Sequence, residues 1–142
     1  VIEYNARLGD PETEAIIPRI SSDLFDLLEG VAAGNLSEKE IETDSRYAAA
    51  VMIASGGYPG HYENGKTIEG LEEKGGYVLF HAGTRISGGK VITSGGRVLA
   101  VSSLGRTMED ALELSYRGAG KISFENMYFR PDIGFDLKAA KC

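Results

Sequence analysis

The stretch Tyr47-Ala48-Ala49-Ala50-Val51-Met52-Ile53-Ala54, followed by Ser55-Gly56-Gly57-Tyr58-Pro59-Gly60, decides the fold class. Its first part is a continuous apolar run of strand length, which predicts a strand covered on both faces. Its second part is a loop that neither helix nor strand continues through. Downstream, Tyr77 to His81 and Gly96 to Leu104 read as further strands. Between them, Ser87-Gly88-Gly89-Lys90 carries the glycine pair of a tight hairpin turn. Thr107-Met108-Glu109-Asp110 caps a late helix whose Met108, Ala111, Leu112 and Ser115 share one side, with Gly118 and Gly120 expected to end it. Tyr128 to Gly134 is expected to form a docked loop or short strand, with Asp132 open to a salt bridge to Arg130 or a neighbour.

Upstream, the pattern turns helical. Glu12 to Arg19 predicts a short helix after Pro11, with Ile16 and Ile17 packing inward. Ser21-Ser22-Asp23 supplies an N-cap for a second helix and Gly34 its stop. Leu24, Phe25, Leu28, Val31 and Ala32 recur at helical spacing and predict a core-facing stripe. Ser37-Glu38-Lys39-Glu40 reads as a capping box, with Leu36 and Ile41 as its hydrophobic staple. Helices first, then short antiparallel strands with one late helix, predict an α+β fold rather than a parallel doubly wound sheet.

The composition sets the class. A chain of 142 residues, 42% apolar and 25% charged, is long enough for one ordinary domain with its own core. A net charge of −6 and a pI near 5.0 argue against nucleic acid or an anionic membrane as partner. No apolar run reaches the length of a membrane span, and no signal peptide pattern opens the sequence, so a cytoplasmic location is expected. The single cysteine is Cys142, which excludes a disulfide within the chain.

The opening stretch, Val1-Ile2-Glu3-Tyr4-Asn5-Ala6-Arg7-Leu8-Gly9-Asp10-Pro11-Glu12-Thr13-Glu14, carries the densest polar signal. Val1, Ile2, Tyr4 and Leu8 favour a strand, and Glu3, Asn5 and Arg7 then share one face of it. Gly9-Asp10-Pro11 breaks the ladder. Two readings follow. The alternation describes an edge strand with one solvated face, or it presents Glu3 and Asn5 to a hard divalent cation with Arg7 beside them for a phosphate or carboxylate.

Glu3-Tyr4-Asn5-Ala6-Arg7-Leu8-Gly9-Asp10-Pro11-Glu12-Thr13 closely resembles the E-x-N-x-R-x-G-D-P-E-T signature of the glycinamide ribonucleotide synthetases (phosphoribosylamine–glycine ligases). Further matches follow in family order at Gly57-Tyr58-Pro59, His81-Ala82-Gly83-Thr84, Thr93-Ser94-Gly95-Gly96-Arg97-Val98-Leu99-Ala100-Val101 and Asp132-Ile133-Gly134. Ser94 departs from the asparagine usual in the family pattern. These ligases belong to the ATP-grasp group and are much longer, so the chain resembles their C-terminal portion. The resemblance implies that residues 1–45 finish an ATP-grasp domain and that residues 46–142 build a small antiparallel sheet domain flanked by helices.

The resemblance also implies a chemistry. Glycine and phosphoribosylamine would be joined at the expense of ATP, through a glycyl phosphate. Glu3 and Asn5 would hold Mg²⁺ (or Mn²⁺), Arg7 would steady the transferred group, and Asp10 and Glu12 would orient the amine side. Arg97, with the Gly95 and Gly96 amides, would clamp the ribose 5-phosphate. From the residues alone, Arg97 is either an exposed strand end or such a clamp. His81 reads as a satisfied core or turn histidine, and Tyr58 and Pro59 as residues that shape a loop. No nucleophile constellation, zinc cluster or Walker loop is found. Nothing in the sequence is placed to hold adenine or a triphosphate. The chain is therefore expected to need the rest of the enzyme as partner, to be inactive alone, to fold from about Arg46 onward, and to order residues 1 to about 20 only when packed on another chain or on that missing segment. The alternatives are a non-catalytic binding module that kept the signature, or another ATP-grasp carboxylate–amine ligase of purine synthesis.

Overall fold

The computed structural model describes residues 7–9, 11–72 and 75–139. Its elements run α1 (Thr13–Ile16), α2 (Leu24–Ala33), β1 (Tyr47–Ser55), β2 (Tyr77–His81), β3 (Thr84–Ser87), β4 (Lys90–Thr93), β5 (Arg97–Gly105), α3 (Met108–Ala119), β6 (Met127–Tyr128) and α4 (Phe135–Ala139). A four-stranded sheet has the order β2-β5-β1-β6, and β3 pairs with β4 in a separate hairpin. Among the described residues every strand pairing is antiparallel, in line with the α+β expectation. The strand expected over the first residues falls mostly outside the described residues.

The centre of the sheet is apolar because β1 and β5 are. Val51, Ile53, Val98, Leu99 and Val101 are fully buried and form one core with Leu79, Tyr77 and Ile122. Burial of each such side chain is worth about 1.5–3 kcal/mol. The strand ranges predicted for Tyr77–His81 and the β5 region are those observed, within a residue. Gly88 and Gly89 turn the β3–β4 hairpin at φ 56° and 74°, the positive values that favour glycine. β1 corrects one expectation. From Tyr47 to Met52 its residues alternate in burial, so one face packs on α3 while the other stays half open.

α3 lies across the buried face. The Thr107 side chain accepts from the Asp110 amide and the Asp110 side chain accepts from the Thr107 amide, closing a capping box. Ala111, Leu112 and Ser115 are buried as predicted. Gly118 does not end the helix, as expected, but lies within it against Val101 and Tyr77, and Gly120 is the C-cap. Under α3 the Ser115 hydroxyl donates to Ala49 O at 2.9 Å and meets Ser103 Oγ at 2.8 Å, while Ser103 donates to Ala111 O at 2.6 Å. The expected Arg130–Asp132 ion pair forms, with Nε to Oδ1 at 2.9 Å.

The helices before the sheet depart further from expectation. The helix predicted over Glu12–Arg19 is α1 plus a 3₁₀ turn, Ile17–Arg19, because Pro18 lacks the N–H that an α-helix would use. Ile16 is 42% exposed rather than inward-facing. α2 is capped as predicted: Asp23 Oδ1 accepts from the Phe25 amide at 2.8 Å, and Gly34 stops the helix at φ 75°. Its apolar stripe is not a core face. Phe25, Leu28 and Val31 are 75%, 59% and 59% exposed, and only Leu27 and Gly30 are buried. Spacing defines a face but not what covers it. The capping box at Ser37–Glu40 is absent. Leu36–Glu38 is a 3₁₀ turn, and Leu36 and Ile41 are exposed. The following residues are drawn into extended pairing instead, with Ser21 N donating to Glu42 O and Asp44 N to Arg19 O.

Candidate functional site

The glycine-rich motifs meet at one end of the sheet. β1 and β5 pair in register from Tyr47–Gly105 to Ile53–Leu99, then step to Ala54–Arg97, which makes Val98 the extra residue of a β-bulge. A bulge re-aims the strand it interrupts. Here it sets the direction in which Gly95-Gly96-Arg97 enters β5.

That turn is held on several sides. The Ser55 amide donates to Gly96 O at 2.8 Å, and the Ser55 hydroxyl donates to Gly95 O at 3.0 Å. From the turn between β2 and β3, the Gly83 amide donates to Arg97 O, and the Ser94 amide donates to Gly83 O, both at 2.8 Å. A side chain at Gly83 would lie 2.5 Å from Arg97 O and 2.8 Å from Gly95 Cα, so the two backbones touch. A Cβ on Gly96 would fall 2.0 Å from Tyr58 Cδ2, so the Tyr58 ring lies on that residue. Among the described residues neither the Gly95 nor the Gly96 amide donates a hydrogen bond. Arg97 itself is exposed.

The structure thus brings together Gly95, Gly96 and Arg97 with two other motifs, His81-Ala82-Gly83-Thr84 and Gly57-Tyr58-Pro59. His81 is exposed, and its Nδ1 lies 2.9 Å from Thr84 Oγ1, which makes it a turn histidine and not a core one. Beside the turn is a polar recess of about 210 Å³ lined by Ser55, Gly56, His61, Tyr62, Glu63, Lys66, Glu125 and Asn126. Lys66 Nζ sits 2.8 Å from Glu63 and 2.9 Å from Glu125. Hydrogen bonds to those two carboxylates raise the Lys66 pKa, and the bond to Lys66 lowers that of Glu63. That ammonium already has two anionic partners.

The other predicted residues stand elsewhere. Arg7 donates to Leu8 O at 2.9 Å, and Glu12 Oε1 accepts from the Gly9 amide at 3.0 Å, closing the turn before α1. α1 reaches the sheet near Tyr47 and Ala48, at the opposite end of β1 from the Ala54–Arg97 pair. Glu3, Asn5 and Asp10 lie outside the described residues. Among the described residues no three His, Cys, Asp or Glu side chains come together as a metal site would need.

Sequence reasoning missed Ser55 and gave Tyr58 only a loop-shaping part. The available signal was the Gly95-Gly96 pair, because paired glycines mark a tight turn or a close backbone approach. Which neighbour could not be read from the sequence.

Comparisons with known proteins bear on this arrangement. The family model described as phosphoribosylglycinamide synthetase, C domain, matches residues 48–136. The phosphoribosylamine–glycine ligase of Caldanaerobacter subterraneus is 45% identical over 133 residues, covering 94% of this chain and 32% of that protein. That of Vibrio cholerae is 45% identical over 137 residues, covering 95% and 32%. The crystal structure of the ligase from Thermotoga maritima superposes with a TM-score of 0.75 at 36% identity, over 93% of this chain and 32% of that one. The chain thus spans about a third of the length of these relatives. No helix among the described residues is long and apolar enough to cross a membrane. With the family model matching most of the chain, this chain belongs to the phosphoribosylglycinamide synthetase family.

Proposed function

We propose that the chain is the C-terminal part of an ATP-dependent ligase that joins glycine to 5-phosphoribosylamine, giving glycinamide ribonucleotide, ADP and phosphate in purine synthesis. The observation that carries this reading is the 45% identity to phosphoribosylamine–glycine ligases across 94% of the chain. Residues 1–45 would close the ATP-grasp domain and residues 46–142 form the small C-terminal domain. The family match over 48–136 supports that division. The preceding part of the enzyme would be the partner, and the open apolar face of α2 is the kind of surface such a partner covers. The cytoplasm is the expected place of work.

Glycine, phosphoribosylamine and ATP are the substrates in this reading. The glycine carboxylate takes up the γ-phosphoryl group of ATP. The amine of phosphoribosylamine then attacks the acyl carbon, expels phosphate and loses a proton. What this chain supplies is placement. Arg97 offers a planar fork for two phosphate oxygens, and the Gly95 and Gly96 amides stand beside it as donors. Arg7 would steady charge on the transferred group. Asp10 and Glu12 would orient the amine. We assign Glu3 and Asn5 to Mg²⁺ or Mn²⁺, residues that lie outside those described.

The test uses the complete enzyme. Phosphate release should depend on glycine, phosphoribosylamine and ATP together, and the 142-residue chain alone should release none. Arg97→Lys keeps the charge but loses the fork, so it should raise KM for phosphoribosylamine and leave KM for glycine nearly unchanged. Equal effects on both constants would show that Arg97 supports the fold and not the phosphate. Glu3→Gln should lower kcat far more than it raises KM for phosphoribosylamine.

A further inference from the structure

We propose that Tyr58 is a positioning residue for phosphoribosylamine, acting through its ring on the Gly95-Gly96-Arg97 turn. The inference rests on the reading that Arg97 holds the 5-phosphate, and it asks what keeps Arg97 aimed.

The ring sits where a Cβ of residue 96 would be, with Cδ2 at 2.0 Å, Cε2 at 2.5 Å and Cγ at 2.9 Å from that point. It also meets the Tyr62 ring edge to face, with centroids 5.9 Å apart and planes at 65°. Its backbone is tied to the same clamp, since the Tyr58 amide donates to Ser55 O at 3.1 Å and Ser55 makes the two bonds to Gly95 and Gly96. Tyr58 is 38% exposed and belongs to neither apolar core cluster, so the sheet does not need it for burial. Among the described residues its hydroxyl makes no hydrogen bond. An exposed ring laid on a glycine directly before an arginine restricts the turn from one side while Gly83 restricts it from the other. A guanidinium that must meet phosphate oxygens in a fixed plane gains from such a turn being set in advance.

The experiment measures steady-state constants for the complete enzyme. Tyr58→Ala should raise KM for phosphoribosylamine by about tenfold to a hundredfold, the scale of a misplaced binding group, with the constants for glycine and ATP changing little. Tyr58→Phe should behave as the parent for all three substrates, because the ring and not the hydroxyl does the work. Gly96→Ala, which leaves the ring present but pushes it off the turn, should give the same selective rise. Adding Tyr58→Ala to it should cause less than the product of the two effects. Thermal unfolding of each variant separates this from loss of fold.

Three results would overturn the proposal. They are a Tyr58→Ala enzyme whose three constants rise together, one whose phosphoribosylamine constant is unchanged, and a Tyr58→Phe enzyme as impaired as Tyr58→Ala. If Arg97→Lys shows the selective rise and Tyr58→Ala does not, the phosphate reading stands and the positioning role falls. If Arg97→Lys shows no selective rise, the phosphate reading itself falls.

Discussion

Gly118→Ala sets two well-known effects against each other in one substitution. Alanine in a helix is favoured over glycine by up to about 1 kcal/mol. Gly118 stands one residue from the end of α3, so the gain there is smaller than in mid-helix. Against it stands the sheet. A Cβ at position 118 would lie 2.7 Å from Val101 Cγ1 and 2.9 Å from both Cδ2 and Cγ of Tyr77. Ordinary contacts of that kind are about 3.5–4.0 Å, so close to 1 Å of separation must be found. Neither neighbour can supply it. Val101 is fully buried in the central strand, and Tyr77 is 5% exposed with its hydroxyl donating to Glu72 O at 3.1 Å. α3 must therefore lift from the sheet, and overpacking of this sort costs about 1–3 kcal/mol. The packing cost exceeds the helical gain, and the net expectation is destabilisation by about 1–2 kcal/mol. Urea unfolding of the chain, monitored by far-ultraviolet circular dichroism, would show a lower midpoint at unchanged slope. A rise in stability would refute the reasoning, because the helix preference would then have outweighed a contact that the sheet cannot relax.

Other outcomes follow from the same structure. Phe25→Ser and Leu28→Ser should change the stability of the 142-residue chain by no more than about 0.5 kcal/mol, because both side chains are mostly exposed. In the complete enzyme the same changes should destabilise clearly, and equal effects in both contexts would show that α2 has no further cover. Thr107→Ala should cost about 1 kcal/mol through loss of the capping box, with Thr107→Ser nearly neutral in the same urea assay. A hydrogen bond from Arg46 lowers the Asp44 pKa from 3.8 to about 2 in the folded chain. The stabilisation linked to Asp44 is thus complete above pH 3.8 and is lost as pH falls toward about 2. Asp44→Asn should flatten that part of the stability–pH curve, and a parent curve already flat there would show that the pair contributes nothing.

Local chemistry was legible at most points where a residue acts on its own neighbours, the capping box expected at Ser37–Glu40 being the exception. Asp23 and Thr107 cap their helices, Gly88-Gly89 turns a hairpin, and Arg130 pairs with Asp132, because each needs partners only a few residues away. Strand ranges were legible for the same reason, since an apolar run of that length has few other uses. Membership of the phosphoribosylglycinamide synthetase family was legible from short motifs in a fixed order. Only the tertiary structure decided which faces are covered. Leu24, Phe25, Leu28 and Val31 have the spacing of a core stripe, yet all four are exposed among the described residues. Spacing records a periodicity, while burial depends on what another segment brings to that face. The same holds for the turn at Arg97. Gly83, Ser55 and Tyr58 are distant in sequence from Gly95 and Gly96, and they meet only because β2 and β1 pair with β5 on either side. The sequence by itself determined which hydrogen-bond donors the Gly95-Gly96-Arg97 segment carries. The pairing of the strands decided which of them stand together and what holds them in place, because side chains so far apart in the chain come within reach only through long-range backbone hydrogen bonds.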